Sequence, residues 1–197
     1  MRKLIPILAS DPNSINSEII IKSWRKIPYK VRKNIFIIGS FKLLKSQIKL
    51  LKLNCSLKEI KDLKNFRENN ELKILNVHCD FKNCFKVKNV DKKKYILKSF
   101  EIVKKLIKKG QISKFITCPL DKKSIFEKKR IGVTEFLSTF ENKNKSTAMM
   151  IYNEKFSVIP LTNHINLKDV SRNITKGILV NKITNIFQSY KKVFKKK

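Results

Sequence analysis

Short apolar runs alternate with longer amphipathic stretches along this 197-residue chain, and that alternation restricts the fold more than any other feature. A strand followed by a helix, repeated, is the pattern of parallel βα units, because parallel neighbours need a crossover. Strands are expected at residues 4–9, at 35–38 (closed by Gly39), at 73–78 and at 114–117. Helices are expected at 17–26, with Glu18 in its first turn, at 40–52 and at 92–109. In the last of these, Tyr95, Ile96, Ser99, Phe100, Val103, Leu106 and Ile107 recur at helical spacing. Gly110 then sits where a left-handed residue ends a helix, and the Lys pairs at 104–105 and 108–109 suit the negative end of its dipole.

The remaining segments read less sharply. Residues 54–70 are polar, with Leu57, Ile60 and Leu63 hinting at a short helical piece, and 79–90 reads as a loop. Short helices are expected at 122–127 and 134–140, and two strands at 148–152 and 156–159 joined by an Asn153-Glu154 turn. Residues 160–166 read as a loop, and Thr175 is a fair N-cap for a final helix reaching about Tyr190. No internal repeat or linker-like tract interrupts this order. The length suits one α/β domain, or one large and one small lobe.

Charge is the second constraint. The chain carries 46 Lys+Arg against 15 Asp+Glu, a formal net charge of +31. A balance this basic is the footprint of nucleic-acid binders, but such proteins usually use Arg for its planar, bidentate fork. Here 40 of the basic residues are Lys and 6 are Arg, beside 27 Ile and 18 Asn but only 2 Ala. Lys, Ile and Asn are AT-rich codons, so genome composition accounts for the profile better than function does. The field still concentrates phosphorylated ligands and holds polyanions loosely at low salt.

The N-terminal Leu4-Ile5-Pro6-Ile7-Leu8-Ala9 run is too short for a signal-peptide core. No run reaches the ~20 apolar residues of a membrane span. A buried first strand in a cytoplasmic protein, with no membrane partner, is the expectation. Cys55, Cys79, Cys84 and Cys118 form no paired CxxC spacing. A zinc reading of His78-Cys79 with Cys84 lacks a second ligand pair, so reduced and mostly buried thiols are expected.

Chemistry is therefore sought in loops that follow strands, where open α/β sheets bind ligands. Three qualify: Ser10-Asp11-Pro12-Asn13, Thr117-Cys118-Pro119-Leu120-Asp121-Lys122 and Thr162-Asn163-His164. Gly132-Val133-Thr134-Glu135 opens a further helix whose N–H groups could hold an anion. Asp11 alone is a common turn or capping residue, and His164 alone a common structural histidine. One histidine makes no metal site.

Together these segments resemble the N-terminal portion of the 4-hydroxythreonine-4-phosphate dehydrogenase family of pyridoxal phosphate biosynthesis. The family's opening Gly-Asp-Pro-Ala-Gly-Ile-Gly-Pro-Glu is matched by Ser10-Asp11-Pro12-Asn13-Ser14-Ile15-Asn16-Ser17-Glu18. Its Thr-Ala/Gly-Pro-Ile-Asn/His-Lys is matched by residues 117–122, and its Gly-His-Thr-Glu-Phe-Leu by Gly132-Val133-Thr134-Glu135-Phe136-Leu137. An Ala-Met-Met-Leu strand corresponds to Ala148-Met149-Met150-Ile151, and Thr-Thr-His-Ile-Pro-Leu-Lys-Asp-Val to residues 162–170. The motifs keep their order and similar spacing across nearly the whole chain.

The resemblance implies a three-layer α/β/α sandwich of the isocitrate/isopropylmalate-dehydrogenase-like type. It makes residues 1–197 the N-terminal α/β part, with no complete second domain. It implies NAD-dependent oxidation of the C3 hydroxyl of 4-hydroxythreonine 4-phosphate, followed by decarboxylation to 3-amino-2-oxopropyl phosphate. A divalent cation (zinc, magnesium or cobalt) would act as Lewis acid, with His164 as a ligand. Thr134 would bind substrate, Asp11 and Lys122 would lie near the site, and the NAD contacts would come from a second lobe. A homodimer, or pairing with a complementing C-terminal chain, would complete the site. Val133 replaces a substrate-binding His, and Ser10, Ser14 and Asn16 replace glycines. The family's second lobe, which has no counterpart here, points together with these departures to a truncated or split form with impaired activity alone. A non-catalytic dimerisation or binding module, and a basic nucleic-acid binder, are the alternatives.

Overall fold

A computed structural model describes residues 4–63, 66, 70–121, 125, 136–137, 148–162 and 165–194. The chain divides into two compact units, Met1–Lys129 and Arg130–Lys197. The first unit is built on β1 (Ile5–Leu8), β2 (Ile35–Gly39), β3 (Leu57–Ile60), β4 (Leu72–Asn76) and β5 (Ile116–Thr117). These form one sheet in the order β3-β4-β2-β1-β5, with every pair parallel.

Helices α1 (Asn16–Lys26) and α3 (Phe41–Leu50) are neighbours on one face, and α2 (Tyr29–Arg32) is a single turn between α1 and β2. Side chains alternate along a strand, so Ile35 and Ile37 meet Ile20, Ile21, Trp24, Leu44 and Ile48 in one core. Phe36 and Ile38 point to the other face, which α4 (Asn89–Lys108) covers with Tyr95, Ile96, Phe100 and Val103, all essentially fully buried. β2 is buried at all five positions, which is why it reads as an unbroken apolar run. The three layers and the α/β class agree with the expectation from sequence.

Helix ends follow local chemistry. Ser40 caps α3 by accepting from the Leu43 N–H at 3.3 Å. At the far end of α4, Gly110 takes φ 65°. Its N–H donates to the Ile107 carbonyl and the Gln111 N–H to the Leu106 carbonyl, the paired bonds of a Schellman ending.

One expectation fails. Leu57 and Ile60 do not mark a helical piece; they belong to the edge strand β3. Residues three apart on a strand face opposite sides, and Leu57 packs against the α1/α3 core while Ile60 is buried.

In the second unit, β6 (Ile151–Tyr152) and β7 (Ser157–Val158) pair antiparallel around the Asn153 turn. Helix α5 (Lys176–Phe194) begins where Thr175 Oγ1 accepts from the Ile178 N–H at 3.3 Å. Ile178, Ile183 and Phe187 on α5 are exposed. The short helices expected at 122–127 and 134–140 fall almost entirely outside the described residues. Among the described residues no helix is long and apolar enough to cross a membrane.

Gly39 is required by space rather than by φ. A Cβ there would lie 3.0 Å from both Ala9 Cβ and Tyr95 Oη, and Tyr95 is fully buried. Gly39→Ala is expected to lower the unfolding free energy by about 1–3 kcal/mol in urea titrations, since an overpacked core must shift. An unchanged midpoint would show that Tyr95 yields freely.

Candidate functional site at the carboxyl edge of the sheet

β1 has β2 on one side and β5 on the other, so the chain leaves the sheet in opposite directions at this point. Open parallel sheets place ligands outside the carboxyl ends of such strands. The loop from Ala9 to Ile15 emerges there, between β1 and α1, and two other loops are tied to it.

Ser10, at the first residue of the loop, has φ 55°. That left-handed conformation suits glycine and costs an L-residue ~1 kcal/mol. Ser10 takes this conformation at the position where the resembling family motif has glycine. Ser14 and Asn16 are outside the left-handed region, so no glycine is needed there. Asp11 is buried, and its Oδ1 accepts from the Asn13 N–H at 2.9 Å, closing an Asx turn. Asn13 then clamps Val87: Nδ2 donates to the Val87 carbonyl and Oδ1 accepts from the Val87 N–H, each at 2.8 Å. Gln47 on α3 donates from Nε2 to the carbonyls of Pro12 and Cys84, both at 2.7 Å.

Asn16 joins the loop to the second expected site segment. Its Nδ2 donates to the Ala9 carbonyl at 3.0 Å and to the Pro119 carbonyl at 2.7 Å, with a longer contact to the Asp11 carbonyl at 3.4 Å. Ser14 Oγ also donates to the Asp11 carbonyl, at 2.7 Å. Asn16 Oδ1 and Ser17 Oγ are buried without a hydrogen-bond partner among the described residues. The structure thus brings the Asp11 loop and the Cys118-Pro119 loop together at the sheet edge.

The other candidates stand differently. Lys122, Val133, Thr134 and His164 lie outside the described residues, and Thr162 belongs to the second unit. Sequence reasoning did not assign Gln47 or Lys92 to the site. Both were detectable as polar residues in phase with buried apolar ones: Gln47 with Leu43, Leu44 and Ile48, Lys92 with Tyr95, Ile96 and Ser99.

The thiols are the remaining candidates. All four are free; Cys79, Cys84 and Cys118 are buried and Cys55 is half-buried. Burial, reinforced by Asp91 and Asp80, pushes the Cys79 thiol up to about 12, and burial pushes Cys118 up to about 11. His78 is exposed and pairs with Asp80 at 2.8 Å, so it does not gather with Cys79 and Cys84 into a zinc site. Among the described residues no group of three or more His, Cys, Asp or Glu could hold a metal ion. The described part of the edge therefore does not fit a divalent cation by itself.

The chain's relatives decide its lineage. Residues 31–197 match the sequence profile of the family described as "Pyridoxal phosphate biosynthetic protein PdxA". The chain belongs to that family. It is 30% identical over 194 residues to the 4-hydroxythreonine-4-phosphate dehydrogenase of Sulfurihydrogenibium sp. (strain YO3AOP1), covering 96% of this chain and 58% of the relative. It is 30% identical over 204 residues to the enzyme of the same name from Aquifex aeolicus (strain VF5), covering 99% and 60%. The chain thus spans about three fifths of the length of the curated PdxA relatives it matches. The crystal structure of a 4-hydroxythreonine-4-phosphate dehydrogenase from Burkholderia phymatum shares the α/β fold, with a TM-score of 0.79 at 19% identity over 93% of this chain and 57% of that one.

The raised thiols give a signed pH prediction. The folded state holds each thiol proton more tightly than the unfolded chain, whose thiols titrate near ~8.5. Their stabilisation is therefore complete below about pH 8.5 and lost as pH rises through 11 to 12. Melting temperature is expected to be flat through neutral pH and to fall above pH 9. Iodoacetamide at pH 8 is expected to leave Cys79 and Cys118 unmodified until denaturant is added. Rapid native labelling of either would contradict the assignment.

Proposed function

We propose that this chain is the N-terminal part of a 4-hydroxythreonine-4-phosphate dehydrogenase. The reaction is NAD-dependent oxidation of the C3 hydroxyl of 4-hydroxythreonine 4-phosphate, with loss of carbon dioxide to give 3-amino-2-oxopropyl phosphate. What supports this reading is the in-register family motif at the ligand-side edge of the sheet: Ser10-Asp11-Pro12 keeps its turn without glycine, and Asn16 ties it to Cys118-Pro119.

In this reading His164 would be one ligand of a divalent cation (zinc, magnesium or cobalt), which would supply Lewis-acid chemistry to the substrate. Thr134 binds substrate, with Asp11 and Lys122 beside the site. Val133 stands where the family has a histidine, so one hydrogen bond to substrate is given up. The chain has only two histidines, and the exposed His78 is held by Asp80. Further ligands and the NAD contacts come from another polypeptide segment, through a homodimer or a complementing C-terminal chain. The exposed apolar residues of α5 support such pairing, and the reading goes with a cytoplasmic enzyme. The basic surface draws in the phosphorylated substrate and has no specific nucleic-acid partner.

The test is NAD reduction with substrate and divalent metal, by the purified chain alone and after co-expression with the C-terminal part of the Sulfurihydrogenibium relative. The chain alone is expected to show no turnover and the pair to show turnover, which His164→Ala lowers by roughly 100-fold or more. Robust turnover by the 197-residue chain alone would overturn the need for further donors. Absence of both turnover and substrate binding in the pair would overturn the dehydrogenase reading in favour of a non-catalytic module.

A further inference from the structure

Lys92 occupies a core position. It lies one turn before Tyr95 and Ile96 on the buried face of α4, and its side chain is 7% exposed. An ammonium buried this far is strongly destabilising unless it is paired. Its partner is Asp11, also 7% exposed, with Nζ 3.8 Å from Oδ2. That distance is a charge pair without a hydrogen bond.

The other oxygen of the same carboxylate accepts from the Asn13 N–H, and Asn13 is bonded twice to Val87, in the loop that leads into α4. The chain of contacts closes on itself: Lys92 to Asp11, Asp11 to Asn13, Asn13 to Val87, and Val87 back along the chain to Lys92. The β1 loop is thus fastened to the start of α4 by one ionic and one amide link.

We propose that Lys92 is a positioning residue: through Asp11 its charge holds the Asx turn of the β1 loop at the ligand-side edge of the sheet. The role rests on the reading of that edge as the functional one. Lys92 touches no reacting group in this role. It fixes the Asp11 carboxyl so that the Asn13 N–H has its acceptor in place, and the Asn13 carboxamide then meets both the N–H and the carbonyl of Val87.

The test compares Lys92→Met, Lys92→Arg, Asp11→Asn and the Asp11→Asn/Lys92→Met double variant of the full chain. It uses thermal melting and the backbone amide resonance of Asn13, with no substrate. Each of Lys92→Met and Asp11→Asn leaves one charge buried and unpaired, and is expected to lower the melting temperature by about 10 °C or more. The double variant is expected to lose no more than the worse single one, because no charge is left alone. The Asn13 amide proton, shifted downfield by its carboxylate acceptor, is expected to move upfield in Lys92→Met and to stay in place in Lys92→Arg. A purely structural lysine would not move it.

If Lys92→Met does not fold, a folded double variant supports the pairing and an unfolded one contradicts it. Additive losses, or an unmoved Asn13 resonance in folded Lys92→Met, would overturn the proposal. These readouts need no turnover, so their failure is distinct from failure of the dehydrogenase assay.

Discussion

The carboxamide of Asn16 is the interaction on which the ligand-side edge of the sheet depends. It is buried between the end of β1 and the end of β5, donating to carbonyls of both loops. Ala9 is buried, and a buried carbonyl left without a donor costs about 1–3 kcal/mol; the same side chain also holds the exposed Pro119. The family motif has glycine at this position, which has no side chain to donate. A bridge between the two loops therefore accompanies the change from glycine to asparagine.

The same economy of polar groups recurs around the loop. Gln47 reaches from α3 and Asn13 reaches to Val87, so side-chain amides replace the strand ladder where the backbone turns away from the sheet. Amides suit this position because each offers donors and an acceptor without adding charge. The one charge that does enter the loop, Asp11, faces Lys92. In a chain with a net charge of +31, most of the described lysines remain in solvent, where their mutual repulsion is screened, and Lys73 and Lys92 are the buried ones among them. Lys92 shows that a basic residue from a biased composition can still be placed in a core when a carboxylate is waiting for it.

What was legible in the sequence was local. The strand at β2, the phase of α4, Gly110 after its last turn and Thr175 before α5 all depend on residues within a few positions of one another, and all were found. β3 was misread because its two middle residues, Lys58 and Glu59, are exposed at a sheet edge, leaving two apolar residues three apart. The bonds that build the loop cluster were invisible for a different reason. Asn13 and Val87 are separated by 74 residues, and Asn16 and Pro119 by 103. Such pairs follow from the strand order β2-β1-β5, which periodicity does not determine. Family motifs located Asp11, Thr134 and His164 by position, and of these only Asp11 lies among the described residues.

Family membership and the loop geometry meet at one physical claim: side-chain amides hold the glycine-free turn after β1. Exchange of the Asn16 side-chain Nδ2 protons with deuterated solvent, followed by NMR on the labelled chain, tests this most directly. Protons sealed between the Ala9 and Pro119 carbonyls are predicted to exchange at least ~1000-fold more slowly than a free carboxamide, in step with opening of the fold. Exchange at the rate of a surface asparagine would show that the two loops are not joined, and the account of the site would fall with it.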